Sequence, residues 1–443
     1  MNPRPDISQP QMRMPGDNPE RDQQLRILSL APTSFFGDYG CHVRILEEAR
    51  ALQAQGHEVT ILTYFKGKDV PGLRIIRTAP TPWRAHYEVG SSRHKFVFDI
   101  LLSIRLLRVL SRNRFDLIHA HLHEGALIGS LLSKPWRIPV CFDYQGSLTD
   151  EMIQHGFMRA NNPPVFRFWR GVENLANRLP DAIFTSTIQA TEVLRSELGA
   201  HKLIYPLLDG VNTDVFHPDV LTPAERNALR ARWGIAPTDT AVVFLGLLAR
   251  HQGIDIILEA AARVKAQGKA VRWLVMGYPG VEQWRFAAAA RGVSQEVIFT
   301  GRVAYSDAPR MLALGDIAIA PKLSLTEGSG KVLNYMAMGL PTVAFDTPGQ
   351  TQYLGNLGLY ASVGDREQLA NHIISLLDQP ERRRELGRLL RARAEQFSWR
   401  KAGQLLAGYY QQVLGHPHRH TSHQHIARST EAVHNTQYEH DHI

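Results

Sequence analysis

The chain has few cysteines and no long uncharged apolar run. Cys41 and Cys141 are its only cysteines, so the sequence predicts no disulfide framework and favours a reducing, cytoplasmic setting. No stretch of about 18 uncharged apolar residues occurs, so we expect no membrane-spanning helix. Residues 1–24 are polar, contain several prolines and lack an apolar centre, which indicates a disordered arm and argues against a secretory signal peptide.

Patterns that recognise nucleic acid are also missing, although the chain is basic. Its formal net charge is +8 at pH 7, which favours an anionic partner such as a nucleotide or a lipid head group. We find no helix-turn-helix, zinc-finger or aromatic RNA-reading pattern, so we do not expect nucleic acid as a partner. Residues 415–443 lack apolar periodicity and contain eight of the 20 histidines, which predicts a disordered His-rich tail. Metal binding by this tail is the alternative.

Short apolar segments alternate with longer amphipathic segments along most of the chain. The predicted strands are LRILSL (25–30), EVTILT (58–63), DLIHA (116–120), IPVCF (138–142), DAIFTS (181–186), AVVFLG (241–246), VRWLVMG (271–277), VIFTG (297–301), DIAIAP (316–321) and PTVAF (341–345). This alternation is typical of parallel sheets with right-handed crossovers, and a proline-containing connection at 206–225 divides the strands into two sets. We therefore predict an α/β fold with two doubly wound, Rossmann-like domains, at 25–210 and 211–396, that face a cleft. An amphipathic helix is predicted at 397–414.

Ligands bind at the carboxyl ends of parallel strands, so the loops after the predicted strands are candidate sites. One such loop consists of Gly37, Asp38, Tyr39 and Gly40. Glycines let the backbone approach a ligand closely, and the N-terminus of the following helix offers free N–H groups to an anion. An ordinary turn between a strand and a helix explains this short segment equally well.

Three histidines, His119, His121 and His123, alternate where the third predicted strand ends. Alternate residues of an extended chain share a face, an arrangement that can hold a metal, but no cysteine or suitably placed aspartate completes the ligand set. We therefore predict that His121 faces the cleft as a catalytic or sugar-contacting group and that His119 is a core residue.

The segment Thr326–Pro341 contains the densest group of candidate site residues. They are Glu327, Ser329, Gly330, Lys331 and Asn334. Small residues and a lysine at the start of a predicted helix suit a diphosphate, Glu327 suits sugar hydroxyls, and Asn334 suits a ribose hydroxyl. The sequence GSGK is not a Walker A loop, because the upstream glycine is missing. A charged loop before a core helix is the alternative.

Four stretches follow one another in a characteristic order: GDYGCHV with GHEVTILT, DLIHAH, EGSGKVLNYMAMGLPTVAFD and FSWRKAGQLLAGYYQQVL. Together they resemble glycosyltransferase family 4, which consists of retaining GT-B enzymes that use activated sugar donors, and the resemblance covers residues 25–414. It implies that the N-terminal domain binds the acceptor, that the C-terminal domain binds the donor nucleotide, and that helix 397–414 crosses back to the N-terminal domain. It also implies that His121 contacts the donor sugar.

The chain departs from the family pattern around the donor diphosphate. Leu247 and Gln252 stand where the family has an arginine and a lysine that grip the diphosphate. The candidates for supplying the missing charge are Arg250, Lys322 and Lys331. We favour Lys331 because it lies in the phosphate loop itself. Asn334 replaces a glutamate, and Asp38 stands where a second glycine is usual.

The resemblance implies transfer of a hexosyl-type unit from a nucleotide diphosphate sugar with retention at the anomeric carbon. No Asp-x-Asp motif stands in a suitable loop, so we expect neither a divalent cation nor another cofactor. The leaving phosphate oxygen can take the acceptor proton, so a site with His121 and Glu327 at the sugar needs no strong protein base. Two alternatives stay open: a nucleotide-sugar epimerase of the same fold, and a non-catalytic nucleotide-sugar-binding protein.

The N-terminal half contains candidates for acceptor binding and for membrane contact. Gln145, Asp150 and Glu151 are the predicted acceptor contacts, and a polysaccharide or lipid-linked glycan acceptor follows the habit of the family. The stretch 93–115 is basic and amphipathic. The residues that share its apolar face are Phe96, Ile100, Ile104 and Leu107. Such a helix can lie on the inner face of the cell membrane, and a domain helix with a solvated basic face is the alternative.

Overall fold

A computed structural model describes residues 24–38, 40–81, 95–154, 158 and 163–416. The first of its two sheets has seven strands: β1 (Arg26–Ala31), β2 (Glu58–Thr63), β3 (Arg74–Arg77), β4 (Leu117–His121), β5 (Val140–Tyr144), β6 (Ala182–Thr185) and β7 (Leu203–Pro206). The second has six strands: β8 (Thr240–Leu245), β9 (Val271–Met276), β10 (Val297–Gly301), β11 (Ile317–Ala320), β12 (Thr342–Phe345) and β13 (Leu359–Ala361). The strands of both sheets are parallel.

Helices connect and cover the strands throughout the described part of the chain. They are α1 (Gly40–Gln53), α2 (Lys95–Arg112), α3 (Leu122–Leu132), α4 (Leu148–Gln154), α5 (Pro163–Arg178), α6 (Ile188–Leu198), α7 (Pro223–Arg232), α8 (Ile254–Ala266), α9 (Val281–Ala290), α10 (Ala308–Leu312), α11 (Gly330–Ala337), α12 (Pro348–Leu354), α13 (Arg366–Asp378), α14 (Pro380–Ala394) and α15 (Trp399–Gly415). Because both faces of each sheet are covered, the strands are apolar at successive positions rather than at alternate ones. Ile27 and Ala31 of β1 face one core, and Leu28 and Leu30 face another.

The strand order directs the functional loops of both sheets into one crevice. The orders are β3-β2-β1-β4-β5-β6-β7 and β10-β9-β8-β11-β12-β13, so the winding direction reverses beside β1 in the first sheet and beside β8 in the second. Ligands of doubly wound sheets bind outside the carboxyl ends of the strands at this switch point. The loops after β1, β4, β8 and β11 therefore converge on the cleft between the two domains.

The last helix, α15, returns to the N-terminal domain. Ser398 caps its N-terminus, and the two chain segments that connect the domains run side by side at Val211 and Ser398. Trp399 and Tyr410 of α15 are buried in the same core as β1 and α1. The predicted pair of doubly wound α/β domains with a C-terminal crossover helix is thus confirmed, and the residue boundaries between the domains stay predictions.

Three short strands escaped the sequence prediction. β3, β7 and β13 each have three or four residues and lie at an edge of a sheet. An edge strand pairs on one side only, and part of each of these strands is incompletely buried. Their sequences therefore carry a weaker apolar signal than those of the central strands.

The predicted arm and tail lie outside the described residues, apart from Gln24 and residues 415–416. The first two residues of the predicted basic stretch 93–115 also lie outside them. Among the helices that the structure describes, none combines the length and the apolar character needed to cross a bilayer.

Candidate active site

A cleft of about 420 Å³ lies between the two domains. The predicted site residues that line it are Asp38, Gly40, Gln145, Glu151, Lys322, Glu327, Ser329, Gly330, Lys331 and Asn334. Four others, Gly37, His121, Asp150 and Arg250, are described but do not line it, and Tyr39 lies outside the described residues. The structure therefore brings most of the predicted donor residues together and places part of the catalytic and acceptor set elsewhere.

The loop between β11 and α11 forms the donor side of the cleft. It places Ser329 at the N-cap position of α11, and the buried Ser329 hydroxyl has no hydrogen-bond partner among the described residues. The first N–H groups of a helix have no acceptor within the helix. Free N–H groups, a buried hydroxyl and the positive end of the helix dipole together suit an anion at this position.

Lys331 supplies positive charge to this loop from the first turn of α11. Its Nζ donates to Oε1 of Gln252 at 2.7 Å and lies 4.5 Å from the ring centroid of Phe244, so the side chain reaches the loop after β8. A Cβ at Gly246 would lie 2.5 Å from this Nζ, so a larger residue there would displace the amine from this position. Burial, and to a lesser extent the charge of Lys322, lowers the pKa of Lys331 to about 7. The amine thus lies beside Gln252, where the family pattern places the absent lysine.

Glu327 and Lys322 form an ion pair beside the donor loop. Lys322 is buried, and its Nζ lies 2.7 Å from Oε2 of Glu327 and donates to the carbonyl of Gly328 at 2.7 Å. Lys322 therefore balances the charge of Glu327. Because Lys322 also lines the cleft, its contact with the diphosphate stays a prediction. Glu327 also approaches the first domain closely, because a Cβ at Gly146 would lie 3.0 Å from its Cγ.

His119 and His121 follow the strand alternation that the sequence predicts, but His123 does not. β4 ends at His121, and Leu122, with a φ of 60°, begins α3, so the extended alternation stops there. His121 is buried, and its Nε2 and Nδ1 lie 3.0 Å from Oγ of Ser29 and from Oδ2 of Asp143, respectively. His123 lines the cleft instead. A direct sugar contact by His121 is therefore not provided by this geometry.

A buried ionic network lies beneath the cleft. Nη2 of Arg44 lies 2.7 Å from Oδ1 of Asp143, and Nε of Arg44 lies 3.1 Å from Oε1 of Glu48. Ligand atoms of Glu48, His119, His121 and Asp143 lie within 4.8 Å of one another, a grouping that can hold a metal ion. The guanidinium of Arg44 already provides a cation among them. Burial alone would raise the pKa of Asp143, but Arg44 and His121 lower it overall.

Two of the three predicted acceptor residues lie at the cleft. Gln145 follows β5, and its Nε2 donates to Oδ2 of Asp143 at 2.7 Å. Glu151 lies in α4, and burial together with the charge of Glu327 raises its pKa to about 7. Asp150 precedes it in the same helical turn and does not line the cleft. Neighbouring helical residues point about 100° apart, so only one of this pair faces the acceptor side.

Arg250 is the predicted diphosphate contact that the structure places outside the cleft. It begins a short 3-10 turn, Arg250–Gln252, and its side chain is exposed to solvent. Successive side chains of such a turn point in different directions. The turn therefore brings Gln252 to the cleft lining and directs Arg250 away from it.

Sequence reasoning missed Arg44 and Asp209. Nη1 of Arg44 lies 2.8 Å from Oδ1 of Asp209, and a Cβ at Gly328 or at Gly330 would lie 3.2 Å from Oδ2 of Asp209. This pair therefore connects the buried network to both glycines of the donor loop. The sequence contains only an indirect indication of this network. Arg44 and Glu48 lie four residues apart on the buried face of α1, where an amphipathic helix normally has apolar residues.

Comparisons with known proteins agree with this geometry. One family profile, described as "Glycosyl transferase 4-like domain", matches residues 39–204, and another, "Glycosyl transferases group 1", matches residues 239–379. Together they span more than half of the chain. The chain therefore belongs to the family 4 glycosyltransferases, and glycosyl transfer is its class of activity.

Individual proteins are similar to this chain over most of its length. The 2-deoxystreptamine glucosyltransferase of Streptomyces kanamyceticus is 27% identical over 403 residues, which cover 84% of this chain and 99% of that protein. The sucrose-phosphate synthase of Thermosynechococcus elongatus has a TM-score of 0.74 at 18% identity, covering 88% of this chain and 99% of that one. HepE of Anabaena, solved with UDP and glucose, has a TM-score of 0.69 at 17% identity, covering 87% and 99%. These two structures establish the GT-B fold.

Proposed function

We propose that this chain is a retaining glycosyltransferase that acts in polysaccharide or glycoconjugate biosynthesis. It moves a sugar from a nucleotide diphosphate sugar to a hydroxyl of a glycan, lipid-linked or small-molecule acceptor. The observation that carries the proposal is the anion site at the N-terminus of α11, where Ser329, Gly330 and Lys331 line the cleft. The solved complex of HepE with UDP and glucose supports a nucleotide diphosphate as the ligand of this site.

In the proposed reaction, the bond between the anomeric carbon and the donor phosphate oxygen breaks, and the acceptor oxygen bonds to the same face of that carbon. The acceptor proton passes to the departing phosphate oxygen. Lys331 and the N-terminus of α11 stabilise the negative charge that develops on the diphosphate, so we propose that no divalent cation is required. Glu327 accepts hydrogen bonds from sugar hydroxyls, and its ion pair with Lys322 fixes its position.

His121 acts in this proposal through other groups rather than on the sugar. It lies against Asp143, which accepts a hydrogen bond from Gln145 at the acceptor side of the cleft. Of the three clustered histidines, His119, His121 and His123, it is His123 that lines the cleft. His121 is thus a positioning residue, and His123 takes the contact that the sequence assigned to His121.

Binding and product analysis test the proposal. A nucleotide diphosphate sugar that binds the folded state raises the melting temperature, and mass spectrometry with candidate acceptors then identifies a glycosylated product. Glu327→Gln should lower the transfer rate roughly tenfold to a hundredfold, because a hydrogen bond to a charged group contributes about 1.5–3 kcal/mol. Glu385→Gln, exposed on α14 and paired with Arg388 of the same helix, should leave the rate unchanged.

The alternatives predict different results. Release of free sugar without an acceptor would indicate an epimerase, and binding without turnover would indicate a non-catalytic nucleotide-sugar-binding protein. Loss of transfer in EDTA that Mg²⁺ restores would overturn the proposed independence of metal. Undiminished transfer by Glu327→Gln would overturn the site assignment.

We also propose that the protein is cytoplasmic and that α2 rests on the anionic inner face of the cell membrane. The residues predicted to share an apolar face, Phe96, Ile100, Ile104 and Leu107, are exposed. Phe96 and Ile100 each expose 60% of their surface. The helix contributes a different face to the core, formed by Leu102, Leu106, Val109 and Leu110. An apolar stripe on the outside favours membrane contact over the alternative of a solvated basic face.

Helix α5 extends this surface. Phe168 of α5 is 63% exposed, and the ring of Trp169 lies 6.5 Å from that of Phe96, centroid to centroid. Exposed cations on the two helices include Arg108, Arg112 and Arg167. We call the exposed faces of α2 and α5 the apolar platform. Its arginines complement anionic lipids, which makes a bilayer the occupant that fits best.

Vesicle binding tests the apolar platform. The wild type should sediment with vesicles that contain phosphatidylglycerol and less with pure phosphatidylcholine. Ile100→Glu combined with Ile104→Glu should weaken binding roughly tenfold or more, because the variant loses the free energy of transferring two apolar side chains from water into the bilayer. Val193→Glu, 47% exposed on α6, is the control and should bind as the wild type does. Equal binding by all three proteins would contradict the membrane assignment.

A further inference from the structure

The glycine loop after β1 is bonded to the second domain across the cleft. Nη2 of Arg302 lies 2.7 Å from Oδ2 of Asp38 and donates to the carbonyl of Gly37 at 3.0 Å. The N–H of Tyr305 donates to Oδ1 of Asp38 at 3.1 Å, and the hydroxyl of Tyr278 donates to the carbonyl of Gly37 at 3.3 Å. Both carboxylate oxygens of Asp38 are therefore engaged by the opposite domain.

The position of Asp38 is unusual for a charged residue. Its φ of 56° lies in the left-handed region, which aspartate tolerates better than most residues with a side chain. The side chain is only 6% exposed. A buried carboxylate is costly unless it is paired and hydrogen-bonded, and Arg302 and the N–H of Tyr305 meet that requirement.

The partners of Asp38 are themselves held in place. The guanidinium carbon of Arg302 lies 5.1 Å from the ring centroid of Tyr278, which is a cation–π distance. The hydroxyl of Tyr305 forms a hydrogen bond with Glu47 of α1. Backbone and side chain of Tyr305 thus both contact the first domain, on either side of the start of α1.

We propose that Asp38 and Arg302 form an interdomain clasp that holds the glycine loop against the second domain and keeps the cleft closed around the donor. The proposal deepens the proposed function and rests on it for its catalytic consequence. Asp38 is then a positioning residue rather than the donor ligand that its place in the loop suggested. A carboxylate would repel a diphosphate, whereas a carboxylate paired with Arg302 fixes the loop.

Asp38, Tyr278 and Tyr305 line the cleft, so the clasp forms part of its wall. Closure of such a cleft excludes water from the reacting sugar, and opening admits the donor and releases the product. Weakening the clasp should therefore raise the donor KM and let more of the sugar transfer to water.

A double-mutant cycle isolates the contact. Asp38→Asn keeps the size of the side chain and the tolerance for a left-handed backbone but removes the charge, and Arg302→Gln removes the guanidinium. We expect Asp38→Asn to raise the donor KM, and the ratio of donor hydrolysis to transfer, each about fivefold. Adding Arg302→Gln to Asp38→Asn should cause little further change. The free-energy effects of two substitutions add when the residues are distant, but not when the two residues contact each other. Effects that multiply in the double variant would overturn the clasp.

Small-angle scattering of the unliganded protein tests the clasp without relying on catalysis. Asp38→Asn and Arg302→Gln should each increase the radius of gyration. Lys68→Gln is the matched control and should leave the radius of gyration unchanged. Lys68 Nζ also lies 3.6 Å from Asp38, but the lysine side chain is 67% exposed, and an exposed ion pair contributes little. An unchanged radius in both variants would overturn the clasp. An increased radius in a protein without transfer activity would support the clasp and reject the proposed function alone.

Discussion

Lys331 is buried beside the donor loop, so its charge depends on what binds next to it. Burial and the charge of Lys322 lower its pKa to about 7, whereas a lysine in an unfolded chain has a pKa of about 10.4. A diphosphate near Nζ favours the charged form and raises the pKa again. Donor binding should therefore be accompanied by proton uptake at and above neutral pH.

Donor affinity should consequently fall as the pH rises above about 7, because the neutral amine no longer balances the diphosphate. Lys331→Gln should weaken binding at neutral pH roughly tenfold to a hundredfold, in line with about 1.5–3 kcal/mol for a charged hydrogen bond, and should remove this pH dependence. Calorimetric titrations at several pH values, in buffers with different ionisation enthalpies, measure both effects.

Glu151 provides the control, because burial and the charge of Glu327 raise its pKa to about 7 as well. Glu151→Gln should keep the pH dependence that is due to Lys331. A pH dependence unaltered in Lys331→Gln would contradict the assignment.

The predicted site residues that the structure brings together most closely are neighbours in the chain. Ser329, Gly330 and Lys331 lie at the start of one helix, and a helix start is visible in a short stretch of sequence. Strand alternation groups His123 with His119 and His121, but the alternation ends at His121 because α3 begins at Leu122. The change from strand to helix within one residue leaves no clear mark in a pattern of apolar and polar residues.

At the scale of elements, the contact between α1 and α15 depends on a residue without a side chain. A Cβ at Gly403 would lie 2.6 Å from Cβ of Ala51, so the two helices approach more closely than a larger residue permits. The same helix contains Gly408, where an added Cβ would have no neighbouring atom within 4 Å. These two glycines provide a matched pair for measuring how tightly α15 is docked.

Gly403→Ala should destabilise the protein by about 1–3 kcal/mol, the usual cost of overpacking. Gly408→Ala should stabilise it by up to about 1 kcal/mol, because alanine favours a helix over glycine. Thermal denaturation of both variants measures the difference in melting temperature. If both substitutions raised the melting temperature, the close approach of α15 to α1 would not hold in solution.

Elements were predicted well where an apolar run is long and central. The strands beside the switch points, β1, β4, β8 and β11, coincide with predicted strands to within a residue or two. The edge strands β3, β7 and β13 were missed, because short and partly exposed strands carry few apolar residues. Helix α2 shows a further limit: the sequence revealed an apolar face but not that the opposite face also is apolar and forms the core contact.

At the scale of the whole molecule, the cleft and its donor loop followed from the sequence, and the contacts between the domains did not. Asp38 and Arg302 are 264 residues apart, and Arg44 and Asp209 are 165 apart. Periodicity and local motifs report on neighbours along the chain. Pairs at such separations become visible only when both domains are placed in space.

The return of α15 also has a consequence for how the chain is made. The first domain leaves the ribosome early, but Trp399 and Tyr410, which complete its core, are synthesised only after the whole second domain. At translation rates of roughly 5–20 residues per second, this interval lasts on the order of ten seconds or more. During it the nascent first domain exposes the α1 face that α15 will cover, a surface on which a ribosome-associated chaperone can bind.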